Sequence, residues 1–145
     1  MIVSRISESD IPRICEIENC SFTHPWSEAS IRASFDNPSD VFFAAREGDK
    51  ITGYCLLSDY GEDGYLTNIA VSPEFRRMGV GRELMRFLID YVSGRYSFIS
   101  LEVRVSNSPA IALYRQFGFE DAGIRKAYYS SPVEDALIMT RFFTK

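Results

Sequence analysis

Residues 64 to 103 constrain the fold more than any other part of this chain. They read GYLTNIAV, then a turn with two arginines and two glycines, SPEFRRMGVG, then RELMRFLIDYV, and after a short polar connection FISLEV. The two flanking segments are apolar and rich in strand formers. Between them Val80, Leu84, Phe87, Leu88 and Tyr91 recur at i, i+4, i+7, i+8 and i+11, which is one face of an amphipathic helix. A helix with an apolar face that wide, lying between two strands, must pack on a sheet.

The remaining elements follow from the same periodicities. IVSRI near the start alternates and predicts a strand. SESDIPRICEIENCSF predicts a helix, with Ile11, Ile14, Cys15 and Ile17 as its apolar stripe and Pro12 tolerated in the first turn. HPWSEASIRASFDNP predicts a second, short helix, with Ser27 as N-cap, Glu28 in the first turn, Ile31 and Phe35 on one face and Pro38 beyond the end. VFFAAREGDKITGYCLLSD reads as a hairpin around a Glu-Gly-Asp turn, and EDALIMTRFF as the last strand. SPAIALYRQFG predicts a further helix with Ser108 at the N-cap, Pro109 at the first helical position and Gly118 at the C-terminal left-handed turn. Strands with interspersed helices make this an α/β or α+β sandwich. With 145 residues, 46% of them hydrophobic, and no repeat or linker, the chain is expected to form one domain over residues 1–145.

Composition narrows the function. A net charge of −4 disfavours a general nucleic-acid binder. Apolar runs such as YCLLS fall far short of the roughly 20 residues of a membrane span, and MIVSRISESD has no signal-peptide pattern, so a cytoplasmic protein without membrane association is expected. Cys15, Cys20 and Cys55 are odd in number and lie in apolar patterns, which predicts reduced cysteines packed in the core. One histidine, His24, and cysteines this scattered offer no metal site.

The glycine turn has two readings. A strand, a tight turn and a helix that begins at glycine place unpaired amides at the positive end of a helix dipole, where anions and above all phosphates bind. Gly79 and Gly81 would let a pyrophosphate approach, with Arg76, Arg77 or Arg82 adding charge. The alternative is a structural turn carrying solvated arginines. No Gly-Lys-Ser/Thr follows, and the third glycine and downstream acid of a dinucleotide fingerprint are missing.

NIAVSPEFRRMGVGRELMRFLI resembles the acetyl-CoA-binding segment of the GNAT superfamily of N-acetyltransferases, in which Gln or Arg, two residues, Gly, one residue and Gly or Ala join the fourth strand to the third helix. LEVRVSNSPAIALYRQFGFEDAGIRKAYY is similar to RimI-type protein N-terminal acetyltransferases, the ribosomal-protein-alanine N-acetyltransferases of bacteria, and to their archaeal relatives; HPWS and EDALIM fit the same group. The resemblance implies a mixed, mostly antiparallel sheet of about seven strands with splayed middle strands, flanked by about four helices. It implies acetyl-CoA as cosubstrate and no metal, with pantetheine between YLTNIAV and FISLEV. Backbone groups of Ile69, Ala70 and Val71 would hold the pantetheine, and the turn through Arg76, Arg77, Met78, Gly79, Val80, Gly81 and Arg82 the pyrophosphate. Asn107 matches a CoA contact, although an Asn ahead of Ser-Pro serves equally as a cap.

Acetyl transfer to an amine needs a neutral amine, a stabilised oxyanion and a proton for the departing thiolate. A peptide α-amine has a pKa of about 7.7 to 8.0, so a modest base suffices. Leu101 and Val103 share one face of FISLEV, which turns Glu102 to the other; the resemblance makes Glu102 the base, acting through water, and Tyr114 the acid. The plain alternatives are an exposed strand carboxylate and a core aromatic. The resemblance also puts Trp26, Tyr128 and Tyr129 around the substrate, a peptide or protein N-terminus, with ribosomal-protein alanine foremost. Arg104 and Lys126 read as ion-pair charges with a substrate contact left open, and His24 as a capping or packing residue. Two other functions stay open: an acetyltransferase for lysine side chains, polyamines or small amines, and a CoA-binding module without catalysis.

Overall fold

The computed structural model of the chain describes residues 1–143. Its elements run β1 (Ile2–Arg5), a 3-10 turn (Glu8–Asp10), α1 (Ile11–Ser21), α2 (Glu28–Asp36), β2 (Asp40–Glu47), β3 (Lys50–Asp59), β4 (Asp63–Val71), a second 3-10 turn (Pro73–Phe75), α3 (Val80–Val92), β5 (Phe98–Arg104), α4 (Ser108–Gln116), β6 (Glu120–Tyr129) and β7 (Glu134–Phe142). The strands form one seven-stranded sheet in the order β1-β2-β3-β4-β5-β7-β6. Every neighbouring pair is antiparallel except β4 and β5, the pair joined through α3. This is the mixed sheet with four α-helices that the sequence implied.

Each face of the sheet carries its own core. α3 and α4 cover one face, where Leu84, Met85, Leu88 and Val92 pack with Phe43, Cys55, Leu57, Ile99, Leu101 and Met139. α1 and α2 cover the other through Ile11, Ile14, Ile17 and Ile31 against Phe42, Ala44, Tyr54 and Leu56. Alternate residues of β2 and β3 thus feed opposite cores, which explains why both strands read as continuous apolar runs. Phe87 and Tyr91 of α3 both meet the Phe43 ring edge-on at 4.9 Å. Fully buried side chains such as Leu84 and Leu88 are worth about 1.5–3 kcal/mol each, so α3 is fixed on the sheet and its N-terminus with it.

Three sequence expectations shift. The first helix begins at Ile11, because the Ser7–Asp10 capping pair closes a separate 3-10 turn. The N-cap of α4 is Asn107, whose Oδ1 accepts from the Ala110 amide at 3.3 Å, so Ser108 lies one position inside. Cys20 is exposed: it lies off the Ile11, Ile14 and Ile17 stripe, and only Cys55 is a core thiol, with Cys15 half-buried. All three cysteines are free. β6 escapes periodicity altogether, since this edge strand is exposed along nearly its whole length.

Candidate active site

β4 and β5 pair over only three positions, Asp63↔Phe98, Gly64↔Ile99 and Tyr65↔Ser100. Beyond them β4 continues alongside β3 alone and β5 alongside β7 alone, so the two strands part in the middle of the sheet. Their facing edges carry unpaired backbone groups that an extended ligand could satisfy. Thr67 is an extra residue in β4, bulged between Leu66↔Leu57 and Asn68↔Leu56, and its hydroxyl meets that of Ser58 at 2.6 Å. A cleft of about 540 Å³ fills the opening, walled by the α1–α2 loop, β4, β5, α4 and the end of β6. Glu102, Tyr114, Trp26, Tyr128, Tyr129, Ile69 and Asn107, all singled out from sequence, line it together.

Further along β4 the chain enters the glycine turn. Gly79 caps α3 with φ +83°, a left-handed conformation that explains glycine there, and Arg77 is also left-handed at φ +65°. Gly81 has a different reason. A Cβ on it would meet only Leu113 Cδ2 at 3.5 Å and Val71 Cγ2 at 3.9 Å, which are ordinary contacts, so nothing inside the protein demands glycine. The first bond of α3 runs from the Glu83 amide to the Gly79 carbonyl at 3.0 Å, and the amides of Arg77 through Arg82 make no backbone hydrogen bond among the described residues. Arg76, Arg77 and Arg82 are exposed and form no ion pair among the described residues. Arg76 donates through Nε to the Val71 carbonyl at 3.3 Å, while Met78 is largely exposed. Free amides, unpaired cations and a glycine without an internal steric role suit a diphosphate.

At the other end, the alternation of β5 sends Ile99, Leu101 and Val103 into the α3–α4 core and turns Glu102 into the cleft. Glu102 Oε1 accepts from the Tyr65 hydroxyl. Oε2 is buried with no hydrogen-bond partner among the described residues, although Arg125 Nε stands 3.1 Å away. The guanidinium is therefore close enough for attraction but misaligned for donation, and with its side chain 57% exposed the pairing is weak. Tyr114 rises from α4 with its ring 6.0 Å from Phe119 and only 7% of its surface exposed. Its hydroxyl has no hydrogen-bond partner among the described residues, and burial pushes its pKa upward. Burial also raises Tyr65 and pushes Tyr129 up to about 12, so the cleft is lined by phenols that keep their protons.

Tyr128 and Tyr129 pack edge to face at 5.0 Å. Arg104 lies 4.5 Å over the Tyr129 ring, bonds the Ser130 and Pro132 carbonyls at 2.9 Å each, and pairs with Glu134 at 3.2 Å. It is thus the ion-pair charge expected from sequence, and it clamps the β6–β7 loop. Lys126 likewise pairs with Asp135 at 3.2 Å. His24 is exposed and lines the cleft.

The acetyltransferase (GNAT) family model matches residues 11–119, three quarters of the chain. This protein belongs to the GNAT acetyltransferase family. A putative ribosomal protein bS18-alanine N-acetyltransferase of Bacillus subtilis is 40% identical over 132 residues, covering 90% of this chain and 87% of that protein. The crystal structure of the ribosomal-protein-S18-alanine N-acetyltransferase from Escherichia coli superposes with a TM-score of 0.92 at 33% identity, covering 99% of this chain and 94% of that one. A GNAT acetyltransferase from Elizabethkingia anophelis with acetyl-CoA bound shares the fold, with a TM-score of 0.80 at 20% identity over 98% and 97% of the two chains. The chain is therefore an N-acetyltransferase, and its resemblance to the RimI type holds over its length. No helix among the described residues is long and apolar enough to cross a membrane.

Within this GNAT cleft, several residues went unread in the sequence. Tyr65 and Arg125 meet Glu102 from β4 and β6, and such cross-strand meetings depend on a register no local pattern reveals. Glu18 left a readable trace: Ile11, Ile14 and Glu18 stand at i, i+3 and i+7, so a carboxylate occupies the buried stripe of α1.

Proposed function

We propose that this enzyme transfers acetyl from acetyl-CoA to the α-amine of a protein N-terminus, with the alanine of a ribosomal small-subunit protein as foremost acceptor. We assign the reaction to the cytoplasm and to one domain spanning the chain. The observation that carries this reading is Glu102, which lines a cleft walled by Trp26, Tyr128 and Tyr129 and whose buried Oε2 has no hydrogen-bond partner among the described residues. Similarity to enzymes named for bS18 alanine supports the acceptor.

Each end of the opening has its task. The amides of Arg77–Arg82, with Arg76, Arg77 and Arg82, hold the diphosphate of CoA. The β4 edge at Ile69–Val71 takes the pantetheine, and Asn107 contacts it from the start of α4. Glu102 accepts a proton from the acceptor amine through one water, and because an α-amine has a pKa of about 7.7–8.0, its neutral form costs only about 1 kcal/mol to reach at pH 7. Attack by the freed nitrogen places negative charge on the carbonyl oxygen, which the backbone amides on the open edge of β4 are placed to receive. Tyr114, kept protonated by burial, gives its proton to the sulfur as the carbon–sulfur bond breaks, and the surplus proton on the acylated nitrogen passes through water to the phenolate so formed. No cysteine is required, because the acetyl group passes directly between bound substrates.

The test is thiol release from acetyl-CoA with a short peptide bearing a free N-terminal Ala, beside the same peptide with its α-amine blocked and a lysine left free. Release with the first alone supports the reading. Release with the blocked peptide moves the acceptor to side chains or small amines, and acetyl-CoA binding without release from any amine points to a regulatory module.

A further inference from the structure

Glu18 lies where α1 should carry an apolar residue, and only 1% of its surface is exposed. Its carboxylate joins donors from three other segments. Oε1 accepts from the Tyr54 hydroxyl on β3 and from Asn68 Nδ2 on β4 at 3.0 Å; Oε2 accepts the backbone N–H of Trp26 at 2.9 Å. No Lys or Arg pairs with it among the described residues. A buried carboxylate without a cation is costly, and an apolar residue would close this core with less penalty. The position is therefore explained better by what the charge connects.

Those connections converge on the cleft. Trp26 belongs to the α1–α2 loop that forms one wall, and Asn68 sits between the Thr67 bulge and Ile69 on the strand bordering the opening. Tyr54 and Asn68 both bond Oε1, which leaves Oε2 to the loop. We propose that Glu18 is a positioning residue for the acceptor, tying the Trp26 wall to β4 so that the bound amine is held in register with the thioester. This rests on the reading of the cleft as the acceptor site.

Trp26 is the only tryptophan of the chain, so its fluorescence reports the loop directly, whatever the acceptor proves to be. The decisive variant is the double substitution Glu18→Leu with Tyr54→Phe. It replaces both members of the buried carboxylate–phenol contact by apolar groups, which costs less stability than removing one, and it deprives both the Trp26 amide and Asn68 Nδ2 of their acceptors in this cluster. Relative to wild type, a folded double variant should show red-shifted Trp26 emission, stronger acrylamide quenching and a peptide KM raised about tenfold, as loss of a charge-assisted hydrogen bond implies. Its acetyl-CoA KM should rise less than its peptide KM, since Tyr54 and Asn68 border the β4 edge at Ile69–Val71 but the turn from Arg77 to Arg82 makes none of the Glu18 contacts. Glu18→Gln, which keeps one acceptor oxygen, should fall between the two, and it carries the test if the double variant does not fold. Unchanged Trp26 emission and quenching would overturn the tether. A spectral change with an unchanged peptide KM, or with both KM values raised alike, would overturn the positioning role. Absence of wild-type turnover on any N-terminal peptide would count against the proposed acceptor and so against Glu18 acting on it, while the fluorescence would still decide whether the tether exists.

Discussion

Glu102→Gln preserves the volume of the side chain and can still accept the Tyr65 hydroxyl, but it removes the basic oxygen from the cleft. Its structural effect should be small. The substitution gives up the attraction to Arg125, whose side chain is 57% exposed and misaligned for hydrogen bonding, so no more than about 1 kcal/mol of stability is at stake. The catalytic effect should be large, because a positioned general base contributes on the order of 10²–10⁴-fold. At pH 7, kcat/KM for an N-terminal alanine peptide should therefore fall by at least about 100-fold while the melting temperature moves by only a few degrees. The pH dependence carries a sign. Without the base, the variant relies on peptide that is already neutral, and for an amine pKa of about 7.7–8.0 that fraction rises roughly six- to tenfold in all between pH 7 and pH 9. The deficit should accordingly narrow between pH 7 and pH 9. Initial rates of thiol release, with a thermal melt of each protein, measure both quantities. A deficit of less than about threefold at pH 7, where at least about 100-fold is expected, would refute the assignment of Glu102 as base.

Other perturbations separate the remaining parts. Tyr114→Phe removes a hydroxyl that has no hydrogen-bond partner among the described residues, so the melting temperature should hold while kcat drops by roughly 100–1000-fold, the lower part of the range for a lost acid. Gly81→Ala should fold normally, since its Cβ makes only ordinary contacts, yet weaken acetyl-CoA binding about tenfold by calorimetry, as loss of close backbone approach implies. Gly79→Ala, by contrast, forces a left-handed alanine and should cost about 1–2 kcal/mol in denaturant unfolding. Burial alone would raise the pKa of Asp10, but the Arg46 hydrogen bond at 2.5 Å and the Ser7 contacts outweigh it and hold the group below 3.8. Its contribution to stability is complete above that value and is lost as pH falls through the depressed one. Arg46→Met should thus raise the midpoint of acid unfolding.

What sequence disclosed, and what it hid, follows from locality. α3 was legible because its apolar face recurs through three turns, and β2 and β3 because both are buried on both faces. Glu102 could be turned toward a cleft by alternation with Leu101 and Val103, all within one strand. β6 was not legible, because an exposed edge strand has no apolar alternation to show. The N-cap of α4 was misplaced by one residue because Asn107 and Ser108 are both good caps. The Tyr65–Glu102, Arg125–Glu102 and Glu18–Tyr54 meetings bridge 37, 23 and 36 positions of sequence, and only the sheet register brings them together. The parting of β4 from β5 is likewise a property of pairing, to which neither strand's own residues give a signal.

The central claim, transfer to an α-amine, is tested most directly by locating the acetyl group. A peptide with a free N-terminal alanine and a free internal lysine, incubated with the enzyme and acetyl-CoA and sequenced by tandem mass spectrometry, offers both acceptors at once. The expected result is acetyl on the alanine nitrogen, with the lysine unmodified. Acetyl on the lysine nitrogen, with a free N-terminus, would contradict the account.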